Sequence, residues 1–412
     1  MQRIWHKNYD PGVPISAKYP EKTLPEILEE NARLLPSTPA TDFFGAKLTY
    51  ERLWDKVLRL ANGLQARGVK PGSKIAIMLP NCPQAVIAYY AALWLGAVVV
   101  MTNPLYVERE LEHQWKDSEA EFLIILDHLY PRAAKVQKNT SIRTIIATGI
   151  AEFLPFHLKY IYPLKARFKK LFTAVPYHTS VINFSKLIES SRPIPVPCAA
   201  SPDRLALLQY TGGTTGLPKG AMLTHRNLLA NVVQIAAWVP DLQCGRELFL
   251  AVLPFFHVFG LTTSLNLAIY TGCAILIMPR FNPGDILDLI QKKKPTIFPG
   301  VPAIFSALVS HPGIEKSDLS SIRFCVTGAA PMPLETLRKF ERNTGSIIIE
   351  GYGLSECSPV THVNPLRGAR KPGSIGIALP DTDCLIVDVE TGEQTLPMGE
   401  VGELIVRGPQ RM

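Results

Sequence analysis

Seven cysteines are scattered through the 412 residues, at Cys82, Cys198, Cys244, Cys273, Cys325, Cys357 and Cys384, with no CxxC pair and no histidine cluster beside them. That scatter excludes a disulfide framework and a zinc site of the usual spacing, and it fits a reducing compartment. The amino-terminal stretch "MQRIWHKNYDPGVP" lacks the apolar core of a signal peptide, so secretion is not expected. Repeats, low-complexity tracts and nucleic-acid-reading motifs are also missing. Forty-three Lys and Arg against 35 Asp and Glu leave a net charge of +8, too mild to argue for a nucleic-acid partner. The run most like a membrane span, Ala85 to Met101, has 17 uncharged residues and is too short. Gly96 divides it into a helix-like half and the β-branched run Val98 to Val100, which predicts a buried helix feeding a buried strand.

What the chain does contain is apolar bulk, at 47% of residues, enough for a large core divided among two or three subdomains. Helical and strand patterns alternate. "TYERLWDKVLRLANGLQARG" has helical spacing with Gly68 as its stop, and "KIAIMLP" follows as a strand. "EFLIIL", "LALLQY", "ELFLAVLP", "CAILIM", "PTIFPG", "IRFCVTG" and "SIIIEG" continue the series. Short apolar strands separated by helices predict an α/β fold, with parallel sheets covered on both faces. "SSRPIPVPC" is a proline-stiffened connector. From about Lys371 the texture changes to short strands and Gly/Pro turns. The expected division is therefore an α/β body over 1–370 and the start of a small β subdomain over 371–412.

The unusual residues follow the strands. "TGGTTG" comes after "LALLQY", "PFFHVFG" after "LFLAVL", "GAAP" after "IRFCVT" and "GYGLSE" after "SIIIE". Ligands of open α/β sheets sit beyond the carboxyl ends of strands, so the four loops are expected to converge on one cleft at one rim of a sheet. In the first loop, Thr211, Gly212, Gly213, Thr214, Thr215 and Gly216 offer hydroxyls and close backbone approach, and Lys219 adds a mobile positive charge. This suits a triphosphate. It is not a Walker A motif, because Gly220 rather than Ser or Thr follows Lys219. Glu356 could hold Mg²⁺ against phosphate, and Tyr352 could stack on a purine. Standing alone, the first reads as a solvated loop carboxylate and the second as a packing residue; beside a phosphate loop the ligand reading is favoured. His257, among aromatics, reads as a packed side chain as readily as a functional one.

"YTGGTTGLPKGAMLTHRNL", "LPFFHVFG", "GAAPMP", "GYGLSECSPV" and "GELIVRGP", in this order, resemble the adenylate-forming (AMP-binding) superfamily, and within it the bacterial long-chain fatty-acid–CoA ligases. The resemblance implies two mainly parallel sheets with helices on their faces. It also implies a two-step ligase that uses ATP, Mg²⁺ and coenzyme A to turn a fatty acid into acyl-adenylate and then acyl-CoA. Carried over by position, Thr211 to Lys219 cradle the triphosphate, and Thr211 with Glu356 binds Mg²⁺. Gly328, Ala329 and Ala330 with Glu350, Gly351 and Tyr352 frame the adenine, while His257 borders the acyl carboxylate. Ser355 stands where the family usually has threonine and keeps the hydroxyl. Lys219, His257 and Glu356 are the catalytic candidates. Relatives continue past the position of Met412 into a mobile domain carrying further catalytic groups, so this 412-residue chain is expected to complete the cycle poorly. Other acyl- or aryl-adenylating enzymes, and a nucleotide- or lipid-binding module without full catalysis, are the alternatives.

Two features bear on the substrate. "NLLANVVQIAAWV" and "GLTTSLNLAIY" are uncharged segments able to receive an acyl chain, and core packing explains them equally well. Between Phe153 and Ile188 there is no acidic residue, but there are six basic ones and eight aromatics, including Lys159, Phe156 and Tyr160. This segment is either a peripheral membrane patch or a solvated insertion whose rings pack on the body. A cytoplasmic enzyme touching the inner membrane face is expected in the first case. Oligomeric state stays open, a homodimer included.

Overall fold

The computed structural model describes residues 3–168, 173–194, 197–212 and 216–412, and of 163–168 the backbone only. Its strands, in chain order, are β1 (Pro39–Phe43), β2 (Ala46–Thr49), β3 (Lys74–Met78), β4 (Val98–Met101), β5 (Phe122–Leu126), β6 (Thr144–Thr148), β7 (Val181–Asn183), β8 (Leu205–Thr211) and β9 (Lys219–Thr224). They continue as β10 (Leu248–Ala251), β11 (Ala274–Ile277), β12 (Ile297–Gly300), β13 (Phe324–Thr327), β14 (Ile347–Gly353), β15 (Val360–Val363), β16 (Ile377–Ala378), β17 (Asp383–Val387) and β18 (Glu403–Arg407).

Two sheets organise them. The first has the order β7-β6-β5-β3-β4-β8-β9 and is parallel throughout, except that β9 returns antiparallel to β8. The second has the order β16-β15-β14-β13-β12-β10-β11-β1-β2, with a parallel centre from β14 to β1 and antiparallel strands at both edges. The central strands are buried on both faces, as their continuous Ile, Val and Leu runs require; β4, β5 and β12 have no exposed residue. Strands β17 and β18 form a separate antiparallel ribbon, whereas β16 extends the larger sheet.

The 85–101 run divides at the expected glycine. Pro83–Trp94 is a helix buried on every side, which is why its sequence shows no polar face. Gly96 follows at φ +66°, with Ala199 O only 2.7 Å from where a Cβ would stand, and β4 begins two residues later. Among the described residues no helix is long and apolar enough to cross a membrane. Helix Tyr50–Gln65 starts where Thr49 accepts a hydrogen bond from the Arg52 N–H, and Gly68 lies beyond its end at φ +89°.

Candidate active site

All four polar loops leave the carboxyl ends of strands, but they come from two sheets rather than one. The Gly/Thr loop follows β8 of the seven-stranded sheet; the other three follow β10, β13 and β14 of the nine-stranded sheet. The Gly/Thr loop is moreover the tip of a β8–β9 hairpin, with Thr211 paired to Lys219, rather than a turn into a helix. The alternating "KGAMLT" of β9 belongs to an edge strand, half turned to solvent. Gly213, Thr214 and Thr215 lie outside the described residues. Gly212, Gly216 and Lys219 are exposed and Thr211 is half-buried. The His113 ring meets the carbonyl of Pro218 through Nε2 at 3.0 Å, tying the hairpin to the body. Among the described residues Lys219 has no ion-pair partner.

The two sheets meet behind this hairpin. Strand β9, which begins at Lys219, lies in contact with the short turn Ser355–Cys357 that carries Glu356. Glu356 is half-buried and its carboxylate has no cationic partner among the described residues; its backbone carbonyl accepts from Met412 N at 2.9 Å. The turn is held tightly. Thr262 Oγ1 donates to Ser358 O at 2.7 Å, and Leu354 N donates to Pro359 O at 2.9 Å. Gly353 is needed there, since a Cβ would stand 2.0 Å from Pro359 O.

Sequence reasoning passed over two residues that position the next loop. Asn81, at the carboxyl end of β3 and 3% exposed, donates to Ala251 O at 3.1 Å and Leu253 O at 2.8 Å and accepts from Phe255 N at 2.8 Å. Gln209 of β8 donates to Phe256 O at 3.1 Å. Two amides of one sheet thus fix the loop of the other, and they set His257. Asn81 was findable by the rule that found the rest, being a polar residue just past a strand's end. The His257 ring is open to a cavity yet surrounded by protein and tilted against Phe256 at 4.7 Å, and this desolvation lowers its pKa. It stays a neutral imidazole at neutral pH. The chain then runs through a π-helical stretch, Leu261–Asn266, whose Thr262 reaches the Glu356 turn as described.

That cavity has a volume of about 1150 Å³, above the ~300–1,000 Å³ usual for small-molecule sites. Of the residues singled out in the sequence, Gly328, Ala329, Gly351, Tyr352, Ser355 and His257 line it. Ala330, Glu350, Thr211, Lys219 and Glu356 do not. Glu350 is turned away: burial raises its pKa, and its carboxylate accepts from Gly373 N at 2.8 Å. Tyr352 stands edge-on to buried His362 at 6.2 Å. The far walls are apolar and come from the other sheet and its insertion, through Leu126, Ile150, Leu154, Leu158 and Tyr162. Of the two uncharged segments considered for an acyl chain, 227–239 and 260–270, only Gly260 reaches this cavity. Helix His225–Trp238 is core instead, with Asn231 and Gln234 bonded to Val360 and Pro380.

The donor set is suited to Mg²⁺ held mainly by phosphate. Among the described residues no three His, Cys, Asp or Glu side chains converge on a metal, and Glu356 is a single partnerless carboxylate beside the hairpin that carries the Thr211 hydroxyl. One carboxylate plus substrate oxygens is the usual Mg²⁺ arrangement in nucleotide sites.

The family model for AMP-binding enzymes matches residues 28–412. The chain belongs to the AMP-binding enzyme family. It is 44% identical over its whole length to a long-chain-fatty-acid–CoA ligase of Bacillus subtilis, of which it spans 73%. It is 35% identical to one of Escherichia coli, spanning 74%. Among solved structures, a long-chain-fatty-acid–CoA ligase of Archaeoglobus fulgidus superposes with TM-score 0.83 at 26% identity, covering 98% of this chain and 78% of that one. ATP-bound MatB of Rhodopseudomonas palustris superposes with TM-score 0.78 at 26% identity, covering 93% and 71%. This AMP-binding enzyme thus has the adenylate-forming fold, with two mainly parallel sheets and a small β ribbon.

Proposed function

We propose that the chain is an acid–thiol ligase that activates a long-chain fatty acid. In the first half-reaction a carboxylate oxygen attacks the α-phosphorus of ATP, the bond to the β-phosphate breaks, and acyl-adenylate and pyrophosphate form. In the second, the thiol sulfur of coenzyme A attacks the acyl carbonyl, AMP leaves, and the thiol proton passes to solvent.

The observation that carries this reading is the junction of two unlike environments. A large apolar cavity runs directly into glycine-rich strand ends, and the phosphate-type hairpin stands beside that rim. Carboxylate and triphosphate repel, so charge must be neutralised before oxygen reaches phosphorus. Lys219 does so from the base of the hairpin, while the backbone around Gly328 and Gly351 with the Tyr352 ring holds the adenine. Ser355 adds a hydroxyl at the cavity edge. Neutral His257, at the head of the cavity, offers a hydrogen bond to the acyl carboxylate without trapping it as an ion pair. Glu356 and Thr211 would hold Mg²⁺, which would supply further charge neutralisation on the phosphates. Positioning rather than proton transfer limits such a reaction. A cytoplasmic enzyme reaching the inner membrane face through residues 153–188 suits a substrate that resides in bilayers.

The test is calorimetric binding of acyl-sulfamoyl-adenosines of graded chain length, nonhydrolysable stand-ins for the adenylate. Each methylene buried contributes about 0.8 kcal/mol, roughly fourfold in affinity. Affinity that climbs steeply from four carbons into the long-chain range supports the proposal. A flat series, or tighter binding of the benzoyl analogue, contradicts it and favours an aryl- or short-chain enzyme.

A further inference from the structure

Helix Glu108–Asp117 connects β4 to β5, and its buried side is fixed to the end of β4. It starts where the Glu110 carboxylate accepts from Val107 N at 2.8 Å. Leu111, Gln114 and Trp115, at helical spacing, are buried. Gln114 Nε2 donates to Met101 O at 2.9 Å, and Trp115 Nε1 donates to Thr102 Oγ1 at 3.2 Å, both inside the protein. The helix is thereby held at the carboxyl end of β4, the strand beside β8.

Another face of the same helix meets the Gly/Thr hairpin at two points. His113 and Asp117 stand four residues apart, so they project from one side, a turn from each other. His113 Nε2 lies 3.0 Å from Pro218 O, and the Tyr210 hydroxyl donates to Asp117 Oδ2 at 2.5 Å. A carbonyl only accepts, so Nε2 carries the proton. Burial of Tyr210 and its bond to Asp117 raise the pKa of the phenol, which keeps the proton it donates. The strand register gives these contacts their meaning. Tyr210 immediately precedes Thr211, Pro218 immediately precedes Lys219, and Thr211 and Lys219 are partners across the hairpin. The helix therefore grips each strand one residue before that pair. Gly220, the partner of Tyr210, lies against the Tyr210 ring, which would be 3.1 Å from a Cβ there.

We propose that His113 is a positioning residue for the nucleotide: its Nε2–H fixes the carbonyl ahead of Lys219, and so holds Lys219 and Thr211 ready for a triphosphate. That the ligand is a triphosphate rests on the ATP reading above; the tie between helix and hairpin does not. A purely structural tie would act on the whole fold. Here the backbone ladder from Leu205 with Thr224 to Thr211 with Lys219 carries the hairpin by itself, and Gly212, Gly216, Leu217 and Lys219 at its tip are exposed. Loss of one bond at that end loosens the tip and leaves the fold in place. Asp117 holds the other strand through Tyr210, whose buried ring is fixed without it.

The experiment is calorimetric binding of ATP and of AMP, both with Mg²⁺, to the 412-residue chain and to H113F, H113Q and H113N, with hydrogen exchange of residues 216–224 measured on the unliganded proteins. Phenylalanine keeps the ring and removes the donor. The glutamine side-chain amide places an N–H where His113 has Nε2, whereas the shorter asparagine does not reach that far. H113F and H113N should weaken ATP about fivefold, the effect of one hydrogen bond, leave AMP unchanged and move the melting temperature by less than about 2 °C. Exchange of 216–224 should quicken in both, and H113Q should restore both readouts. In a K219A background H113F should weaken ATP by less than about twofold further, because it acts through that lysine. Equal losses for ATP and AMP, an H113F that binds ATP as the native chain does, or no rescue by H113Q would overturn the proposal. If K219A leaves ATP affinity unchanged, the functional reading fails and takes the nucleotide half of the proposal with it. Exchange then decides the tie on its own, and equal rates in H113F and the native chain would overturn that half too.

Discussion

Replacing Asn81 by alanine tests whether one sheet positions the other sheet's His257 loop. The substitution strips partners from the carbonyls of Ala251 and Leu253 and from the N–H of Phe255, all now bonded within 2.8–3.1 Å in a buried setting. Each orphaned buried group costs about 1–3 kcal/mol, and since the three share one gap their costs do not add fully, giving ~3–4 kcal/mol for the variant. For a chain of this size that corresponds to a melting shift of roughly 6–8 °C, taking about 2 °C per kcal/mol. Asp at this position can accept from Phe255 but cannot donate to two carbonyls, so N81D should be no milder. Because the loop ends in His257, affinity for an acyl-sulfamoyl-adenosine should fall more than affinity for AMP, which on the proposed reading has no acyl group to meet that loop. Scanning fluorimetry and calorimetry measure both. A melting shift under about 2 °C, or equal losses for the two ligands, would refute the clamp.

Two further outcomes follow from packing and burial. G353A drives a methyl to within 2.0 Å of Pro359 O, a backbone atom of the Glu356 turn, and should cost about 3 kcal/mol or more, whereas G212A, with open space around it, should leave the melting temperature unchanged. His225 and His362 are held neutral by burial, with pKa values near 4. Their folded values lie below the ordinary ~6.5, so the unfolded chain takes up protons first; stability is full above pH 6.5 and is lost as pH falls toward 4. At pH 5 each contributes roughly 2 kcal/mol of that loss. H225F, which orphans nothing because neither ring nitrogen is bonded, should flatten the melting curve between pH 7 and 5 by about that amount.

Much of the fold was legible because each central strand is an apolar run ended by glycine, proline or a polar loop, and because Gly68 and Gly96 mark real left-handed turns. Sheet membership was not, since β8 and β10 read alike and only long-range pairing assigns them to different sheets. The hairpin around the Gly/Thr loop was hidden for a related reason: "KGAMLT" is an edge strand whose alternation is short and whose partner lies behind it in sequence. In the site, the glycines and Tyr352 announced themselves by following strands. Asn81 also follows a strand but was passed over, its carbonyl partners lying 170 and 172 positions away; Gln209 sits inside β8 and its partner lies 47 positions away. The sequence left the segment 227–239 open between core and acyl pocket, because a helix buried nearly all round and a helix lining an acyl pocket have the same composition.

The account turns on a lysine from one sheet and a carboxylate from the other acting on a single nucleotide. A double-mutant cycle of ATP binding in Mg²⁺, with K219A, E356Q and the pair, measures this directly. Joint action on one triphosphate predicts a coupling of about 1 kcal/mol or more. Losses that simply add, to within ~0.3–0.5 kcal/mol, would mean that the two residues serve separate places and would contradict it.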